Sequence, residues 1–188
     1  MTRTQKTMVG RSLFWVWMML CLVAPTQQVG AATLETRIKA AFLYKFCSYV
    51  EWPTDTFSAP DSPIVIGVVA DKDIVQELNQ AIKGQHVHNR PLNVRAYDTT
   101  AVPSGVHLLF IGRSVLSSAP RWLDRMQGKA VMLVTDIPNG LDSGSGINFD
   151  LEGDRLRFDV SLAATTAQGV RVSSQLLSVA RRVRNPAQ

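Results

Sequence analysis

Cysteine is rare in this sequence. Two cysteines occur among 188 residues, Cys21 within an apolar segment near the amino terminus and Cys47 farther along the chain. If the amino-terminal segment is removed, Cys47 remains alone, and one thiol cannot form a disulfide within a single chain. Covalent cross-linking is therefore excluded as a source of stability for the shortened monomer. Cys47 follows Phe46 on a predicted helix face, which is typical of a packed thiol rather than a reactive one.

Histidine is also scarce, which restricts the catalytic chemistry. His86, His88 and His107 are the three bases that could activate a serine or cysteine nucleophile. His107 lies inside an apolar strand run, which favours a core histidine. His86 and His88 alternate along a strand-like stretch and could bind a metal, but no third ligand is close in sequence, so solvent exposure is favoured. A hydrolase or metalloenzyme built on these two histidines is the alternative, and the fold would have to complete it.

No phosphate-binding loop is present in the sequence. Gly140, Gly144 and Gly146 are close together, but they do not follow a strand and open a helix, as the dinucleotide and Walker fingerprints require. Polar residues surround them, so 139–146 is predicted to be a loop. The sequence thus predicts a protein that is not an enzyme and that holds no cofactor and no metal.

A concentrated positive charge is missing as well. The formal net charge of +5 falls to +2 (17 Lys and Arg minus 15 Asp and Glu) without residues 1–31, because three of the 20 basic residues lie there. Most of the others are scattered, whereas nucleic-acid-binding proteins cluster them into patches. Only Arg181, Arg182 and Arg184 stand together, and we interpret them as a helix end, where cations are favourable. The sequence predicts no nucleic-acid partner.

Residues 1–31 have the layout of a secretory signal peptide. Three basic residues precede the apolar run 12–25, which is shorter than the ~20 residues that span a bilayer. Small residues allow cleavage after Ala31 or Ala32. The sequence therefore predicts a mature domain, 32–188, that works outside the cytoplasm, and its length suits one hydrophobic core.

The first element predicted after the signal is an amphipathic helix over 33–49. Its apolar residues recur at helical spacing and would form an aromatic-rich inner face: Leu34, Ile38, Ala41, Phe42, Phe46 and Tyr49. Trp52 and Pro53 end the helix, because proline pushes the residue before it away from helical angles. We expect Trp52 to be buried against this helix face.

Strands and short helices alternate along the rest of the chain. Apolar runs predict six strands, of which the last two form a hairpin: 64–70, 92–97 after a turn at Arg90-Pro91, 106–111, 130–135, 147–151 and 155–160. Caps and apolar spacing predict the helices: 74–82, 120–128, 163–168, and a last helix from Ser173 or Ser174 through Val183. These elements predict a single-domain, three-layer α/β sandwich with a mixed β-sheet flanked by helices.

A row of polar residues marks a candidate functional surface. Alternation along the strand 155–160 sends Arg155, Arg157 and Asp159 to the face opposite the core. Arg171 lies in the break between two helices, an irregular segment of the kind that often carries function, and the break could bring it to the same end of the sheet. Two structural interpretations of these residues are the alternatives. In the first they form only the solvent-exposed face of a hairpin, and in the second Asp159 pairs with Arg157 or Arg171 to hold the carboxyl-terminal segment.

These residues resemble the YfiR family of periplasmic regulators. Several stretches carry the resemblance, in the family's order and spacing: KAAFLYKF (39–46) leading to EWP (51–53), GKAVMLVTD (128–136), GINF (146–149), RFDV (157–160) with Ala163-Ala164, and GVRVSSQLLSVA (169–180). The resemblance covers essentially all of the chain after residue 31. The closing segment, with its Ser-Ser-x-Leu-Leu pattern, is the most diagnostic part.

The resemblance implies a regulator rather than an enzyme. It implies a repressor that binds the periplasmic domain of an inner-membrane diguanylate cyclase, or of a related sensor protein, and so lowers cyclic di-GMP and biofilm formation. Better-known members carry disulfide pairs in the mature domain, which this chain cannot form, so a redox switch is not carried over.

Five residues are expected to bind the partner or a ligand: Glu51, Trp52, Arg157, Asp159 and Arg171. A second interpretation makes the protein a periplasmic small-ligand sensor subunit for another membrane receptor. In that case an anionic or aromatic molecule would bind near Trp52, Arg157, Asp159 and Arg171. The sequence leaves open the membrane partner, the sensed signal and a homodimer.

Overall fold

The computed structural model describes the backbone of residues 28–185 and the side chains of residues 34–185. The chain divides into a first unit, Met1–Thr33, and a second unit, Leu34–Gln188, which contains the β-sheet. Most of the predicted signal peptide, including its apolar run and Cys21, lies outside the described residues. Within residues 28–185, no helix is both long and apolar enough to cross a membrane.

The described residues form five α-helices and ten strands. The helices are α1 (Gln28–Cys47), α2 (Lys72–Ala81), α3 (Ala119–Met126), α4 (Leu162–Ala167) and α5 (Ser174–Val179). The strands are β1 (Val50–Glu51), β2 (Ile64–Val69), β3 (His86–Val87), β4 (Arg90–Tyr97), β5 (Leu108–Ile111), β6 (Met132–Thr135), β7 (Ile147–Glu152), β8 (Arg155–Ser161), β9 (Arg171–Val172) and β10 (Arg182–Arg184). Two 3₁₀-helices, Thr54–Thr56 and Arg113–Ser118, follow β1 and β5.

Eight of these strands form one mixed sheet in the order β10-β8-β7-β6-β5-β2-β4-β3. The strands β4, β2, β5, β6 and β7 run parallel to one another. β8 returns antiparallel to β7 through a turn at Gly153, whose φ of +61° suits glycine. At the edges β3 is antiparallel to β4, and β10 is parallel to β8. β1 and β9 form a separate antiparallel ladder. The predicted α/β sandwich with a mixed sheet is confirmed.

Two clusters of buried apolar side chains lie on opposite faces of the sheet. The larger cluster joins α1 and α2 to the central strands and to β7 and β8, through residues such as Phe46, Ile74 and Phe149. The smaller cluster packs α3, with Trp122 at its centre, onto β2, β5 and β6. Among the described residues, it includes no side chain of β7, β8 or β10. The smaller cluster therefore does not extend over these three strands.

The buried face of helix α1 overlaps the predicted one, since Phe42, Phe46 and Tyr49 all pack in the larger cluster, but it is rotated from it. Its buried positions follow the helical repeat: Lys39, Ala40, Leu43, Phe46 and Cys47. Of the predicted inner face, Phe46 is buried, but Leu34 is 56% exposed and Ala41 is exposed as well. The predicted face did not include Lys39, which is buried because Asp136 and Glu35 pair with its charge. Trp52 is buried, as predicted, in the same cluster as Phe46.

The carboxyl-terminal segment also differs from the prediction. Helix α5 ends at Val179 rather than at Val183, because Ala180 has extended dihedral angles (φ −66°, ψ 142°). The chain then forms β10, in register with 159–161 of β8. The interpretation of the three carboxyl-terminal arginines as a helix end is therefore wrong. These cations lie in or next to a strand, where aspartates bind them.

The turn before β4 lies earlier than predicted. His88 and Asn89 both have positive φ values, 52° and 62°, which is typical of a tight hairpin turn. Arg90 and Pro91 therefore already belong to β4. The other predicted strands and the short helices that precede α5 agree with the structure within two residues at each end.

Phe158 of β8 is the point where both ends of the domain meet. Its ring contacts Phe42 and Phe46 of α1 edge-on, at centroid distances of 5.6 and 5.0 Å. Its backbone oxygen accepts a hydrogen bond from the backbone nitrogen of Arg181 at 2.9 Å. The first helix and the last strand therefore pack on the same strand.

Candidate functional site

A polar cleft of about 470 Å³ lies next to β7, β8 and β10, beyond the smaller apolar cluster. One wall is formed by the segments that follow β5 and β6, and the opposite wall by β10. The charged and amide side chains that line the cleft are Arg113, Asp136, Asn139, Asp142, Asn148, Asp150, Asp159, Arg182 and Arg184. Because β5 and β6 are parallel, the segments that follow them leave the sheet at its carboxyl edge, where ligands of open α/β sheets bind.

Strand alternation explains why the floor of the cleft is polar. In the antiparallel pair β7-β8, Asn148 lies opposite Asp159 on one face, and Phe149 lies opposite Phe158 on the other, apolar face. β10 adds Arg182 next to Asp159 on the polar face. The polar row predicted along β8 therefore shares a sheet face with the cleft, and Asp159 is its member inside the cleft.

Asp159 is 4% exposed and is held by two arginines. Arg181 donates from Nε to Oδ1 at 2.8 Å and from Nη2 to Oδ2 at 2.7 Å. Arg182 donates to Oδ2 from Nε at 3.1 Å and from Nη2 at 2.7 Å. Burial opposes ionisation of Asp159, but the hydrogen bonds and charges of the arginines outweigh it, so the pKa of Asp159 lies below its usual value. Asp159 thus holds the carboxyl-terminal segment, with partners other than the expected Arg157 or Arg171.

A second network, which the sequence analysis did not find, lies at the end of β6. Asp136 is 3% exposed and accepts hydrogen bonds from Lys39 Nζ of α1 and from Arg113. Arg113 Nε and Nη2 each lie 3.0 Å from Asp136 Oδ1. Lys39 Nζ also lies 2.5 Å from Oε1 of Glu35, one turn earlier in the helix. α1 is thus tied to the carboxyl edge of the sheet by a buried ion pair.

The sequence contains a signal for half of this network. Asp136 directly follows the fully buried strand β6, and polar residues at that position in parallel sheets often belong to sites. Lys39 has no comparable signal, because it stands in a helix among apolar residues and its partner is 97 positions away.

The loop after β6 is held close to the floor of the cleft. Asn148 Oδ1 accepts hydrogen bonds from Thr135 Oγ1 at 2.6 Å and from the backbone nitrogen of Ile137 at 3.3 Å. Gly140 passes directly over these groups, since a Cβ there would lie 2.3 Å from both Asn148 Oδ1 and Thr135 Oγ1. Glycine is therefore required at this position by close approach of the backbone.

The five residues predicted to bind a partner or ligand do not form one site. Glu51 and Arg171 pair across the β1-β9 ladder, with 3.6 Å between Oε2 and Nε and side chains 67% and 87% exposed. Arg157 is 46% exposed and lies 3.8 Å from Glu152 in the hairpin. Within residues 34–185, no ion pair or hydrogen bond joins Arg171 to Arg157 or Asp159. The expected meeting of these residues at one end of the sheet is not observed.

Trp52 and His107 form a buried aromatic group next to that ladder. The indole Nε1 of Trp52 donates to the backbone oxygen of His107 at 2.8 Å. His107 Nδ1 accepts from the backbone nitrogen of Val65 at 3.0 Å, and its ring stacks on Phe57 with 4.5 Å between centroids. His107 is therefore a core histidine with satisfied hydrogen bonds, as predicted. Trp52, 9% exposed, supports the exposed ladder from inside.

The pKa of His107 makes stability depend on pH. Burial lowers this pKa from 6.5 to about 4, a hydrogen bond with the backbone of Thr56 opposes the change, and the charges of Arg90 and Arg95 add to it. The unfolded chain takes up a proton near pH 6.5, and the folded protein does so only near pH 4. The stabilising contribution of His107 is therefore fully present above pH 6.5 and is lost as the pH falls toward 4.

We expect the free energy of unfolding to fall by about 2 kcal/mol between about pH 7 and about pH 4.5, measured by urea denaturation. The variant His107→Asn keeps an acceptor for the Val65 N–H group but does not titrate in this range. Most of the pH dependence should disappear in it. A variant as sensitive to pH as the wild type would show that another group is responsible.

The other candidate residues lie apart from the cleft. His86 and His88 are exposed, as predicted. In the part of the chain that the structure describes, no three His, Cys, Asp or Glu side chains are grouped so as to hold a metal.

Cys47 is fully buried, its Sγ donates to the backbone oxygen of Leu43 at 3.5 Å, and burial raises the pKa of its thiol to about 12. The thiol is packed rather than reactive, as predicted.

Comparison with protein-family models matches residues 36–181 to a family described as YfiR/HmsC-like. The matched range runs from within α1 to the residue before β10 and includes both Asp136 and Asp159. A search of the curated proteins gives no significant match. Because the family model covers well over half of the sequence, the chain belongs to the YfiR/HmsC-like family, as its motifs indicated.

Proposed function

We propose that the protein is a periplasmic regulator that binds the periplasmic domain of an inner-membrane diguanylate cyclase and represses it. Membership of the YfiR/HmsC-like family over residues 36–181 is the observation that carries this proposal. The signal-like layout of residues 1–31 supports export of the domain. Repression lowers cyclic di-GMP and therefore biofilm formation.

The exposed β1-β9 ladder is the contact surface that we propose for the cyclase. Glu51 and Arg171 offer one charge of each sign on side chains that are 67% and 87% exposed. An exposed pair of this kind contributes less than about 1 kcal/mol to stability. Each side chain can therefore leave the pair and bind a group of the partner protein at little cost. Trp52 anchors the ladder in the core, and the half-exposed Arg157 offers a further charge on the hairpin.

The test measures cyclic di-GMP in cells that carry the co-encoded cyclase. The wild type should lower cyclic di-GMP, and Glu51→Ala, Arg171→Ala and Arg157→Ala should each weaken this effect while changing stability by less than about 1 kcal/mol. The matched control is Arg37→Ala, because Arg37 is 66% exposed and lies 3.5 Å from Glu77 in a similar pair elsewhere. It should repress as the wild type does.

Two outcomes would contradict different parts of the proposal. If the wild type leaves cyclic di-GMP unchanged with every co-encoded cyclase, the repressor function is wrong. If the wild type represses and the folded Glu51 and Arg171 variants repress fully, the function stands and the β1-β9 surface is wrong.

A second function, a small-ligand sensor subunit for another membrane receptor, is supported by the polar cleft. Its volume of about 470 Å³ lies within the usual range of small-molecule sites. Of the residues first assigned to a ligand pocket, only Asp159 lines this cleft. A ligand that enters it would contact β10 and the segment after β6, and so could bias the packing of the carboxyl-terminal strand.

A further inference from the structure

The polar cleft contains an amide donor that no protein group uses. Asn148 is 9% exposed, and its Oδ1 accepts hydrogen bonds from Thr135 Oγ1 and from the backbone nitrogen of Ile137. Because a backbone N–H group can only donate, the accepting atom is the amide oxygen, and Nδ2 is the opposite atom. Within residues 34–185, no group accepts a hydrogen bond from Nδ2, which is open to the cleft. A donor on so buried a side chain indicates an acceptor that enters the cleft from solution.

Two arginines of the cleft are each held by one edge of the guanidinium group. Arg113 uses Nε and Nη2 for Asp136, and Arg182 uses the same two atoms for Asp159. In the part of the chain that the structure describes, neither Nη1 atom has an acceptor, and the side chains are 53% and 66% exposed. A guanidinium carries five N–H donors in a planar fork. Each aspartate therefore fixes the orientation of its arginine and leaves donors for a second anion.

The two aspartates that hold these arginines are shielded from the cleft. The Asp136 and Asp159 side chains are only 4% and 5% exposed. Each carboxylate is paired with two cations: Lys39 and Arg113 for Asp136, and Arg181 and Arg182 for Asp159. An anionic group that enters the cleft thus meets guanidinium and amide donors, whereas the compensated carboxylates lie beneath them.

The other accessible charges of the cleft limit the charge of a ligand. The Asp142 and Asp150 side chains are 56% and 46% exposed, and within residues 34–185 each pairs through one oxygen with an arginine. Their second oxygens can accept hydrogen bonds from hydroxyl groups. Two accessible carboxylates repel a head group with two negative charges more strongly than a head group with one. The cleft therefore favours a single carboxylate on a body that carries hydroxyl groups.

We infer that the polar cleft binds a polyhydroxylated monocarboxylic acid, which is the chemical class of the sugar acids. The ligand carboxylate accepts from Asn148 Nδ2 and from the free edges of Arg113 and Arg182, and the hydroxyl groups donate to Asp142 and Asp150. The volume of about 470 Å³ accommodates a six-carbon acid. This inference rests on the ligand-sensor function proposed for the cleft. The bound acid connects Arg113, which follows β5, to β10.

Isothermal titration calorimetry of the purified protein tests the ligand class with four six-carbon compounds. Gluconate has both the carboxylate and the hydroxyl groups, hexanoate lacks the hydroxyl groups, and sorbitol lacks the carboxylate. Gluconate should bind at least about tenfold more tightly than either, because each of the others loses one set of hydrogen bonds to charged groups. Glucose 6-phosphate has a head group with more negative charge and should bind more weakly than gluconate. Equal affinities for gluconate, hexanoate and sorbitol, or tighter binding of the phosphate, would overturn the inference.

Variants test the residues that hold the carboxylate. Asn148→Asp keeps the acceptor for Ile137 but replaces the donor by an anion, and Arg182→Gln removes one guanidinium while Arg181 still holds Asp159. Each should weaken gluconate binding at least about tenfold. The matched control is Arg37→Gln, since Arg37 is also 66% exposed and does not line the cleft. It should bind gluconate as the wild type does. Unchanged affinity in Asn148→Asp and Arg182→Gln proteins that stay folded would contradict the site.

The sensor function is tested separately from the site. The affinity of the protein for the periplasmic domain of its co-encoded receptor is measured with and without gluconate, and it should change when the cleft is filled. If gluconate binds as expected and this affinity stays the same, the site stands and the sensor function is wrong. If the calorimetric order of ligands fails, the inferred ligand class is wrong whatever the receptor does.

Discussion

Replacement of Trp52 by alanine is expected to lower the free energy of unfolding by about 3–5 kcal/mol, the range for emptying a large aromatic site in a core. Trp52 is 9% exposed, packs in the cluster that also contains Phe46, and sets its ring edge-on to His107 at 6.0 Å between centroids. Loss of the hydrogen bond from Trp52 adds little to this free-energy change. The backbone oxygen of His107 keeps a second hydrogen bond, from the backbone nitrogen of Met132 at 2.8 Å. Urea denaturation of the mature domain measures the change.

Two variants separate the contributions of Trp52. Trp52→Phe keeps an aromatic ring and removes the N–H donor, so it should cost less than half as much as the alanine variant. Leu116→Ala serves as a control on the surface, because Leu116 is 48% exposed, and its effect should stay within about 0.5 kcal/mol. An unchanged denaturation midpoint in Trp52→Ala would mean that this side chain is exposed in solution, which would favour a direct role in binding.

Replacement of Asp136 by alanine should be equally damaging, at about 3–5 kcal/mol, because it leaves a buried cation without its main partner. The Asp136 and Lys39 side chains are 4% and 10% exposed. Without Asp136, Lys39 retains only Glu35, whose side chain is 30% exposed. Arg113 is 53% exposed and can turn to solvent, so the penalty falls mainly on Lys39.

The double variant Lys39→Met with Asp136→Leu separates two costs: the loss of the ion-pair attraction, and the burial of a charged Lys39 without its partner. It should be less destabilising than Asp136→Ala alone, since apolar residues of similar volume often replace a buried pair at little cost. Asp142→Ala is the matched exposed control, because Asp142 pairs with Arg184 at the surface and both side chains are more than half exposed. Its effect should be below about 1 kcal/mol. An Asp136→Ala variant as stable as this control would show that Lys39 reaches solvent.

The order of helices and strands could be predicted because local apolar patterns determine it. The runs that became β2, β5 and β6 are short and apolar throughout, which is typical of strands buried on both faces. The rotation of α1 could not be predicted in the same way. Apolar residues surround most of that helix, so its buried face depends on what packs against it, and Lys39 turns inward because Asp136 is there to receive it.

Prediction was least successful where charges meet across the sheet. Arg181 and Arg182 looked like the cations of a helix end, and only the position of Asp159 on a neighbouring strand turns this segment into β10. Arg157 and Asp159 were correctly placed on one face by alternation, but Asp159 is buried and Arg157 is not. Alternation along a strand assigns a face, whereas burial depends on which other segments cover that face.

The meeting of α1 and the last strand on β8 has a consequence for how the chain folds. Phe158 receives the rings of Phe42 and Phe46 from the start of the domain and a backbone hydrogen bond from Arg181 at its end. Neither contact can form until β8 has been synthesised, and the second needs nearly the whole chain. Contacts between distant parts of a chain form slowly because the long intervening loop must first be closed. The packing of α1 and β10 on β8 can therefore be completed only after nearly the whole chain has been synthesised.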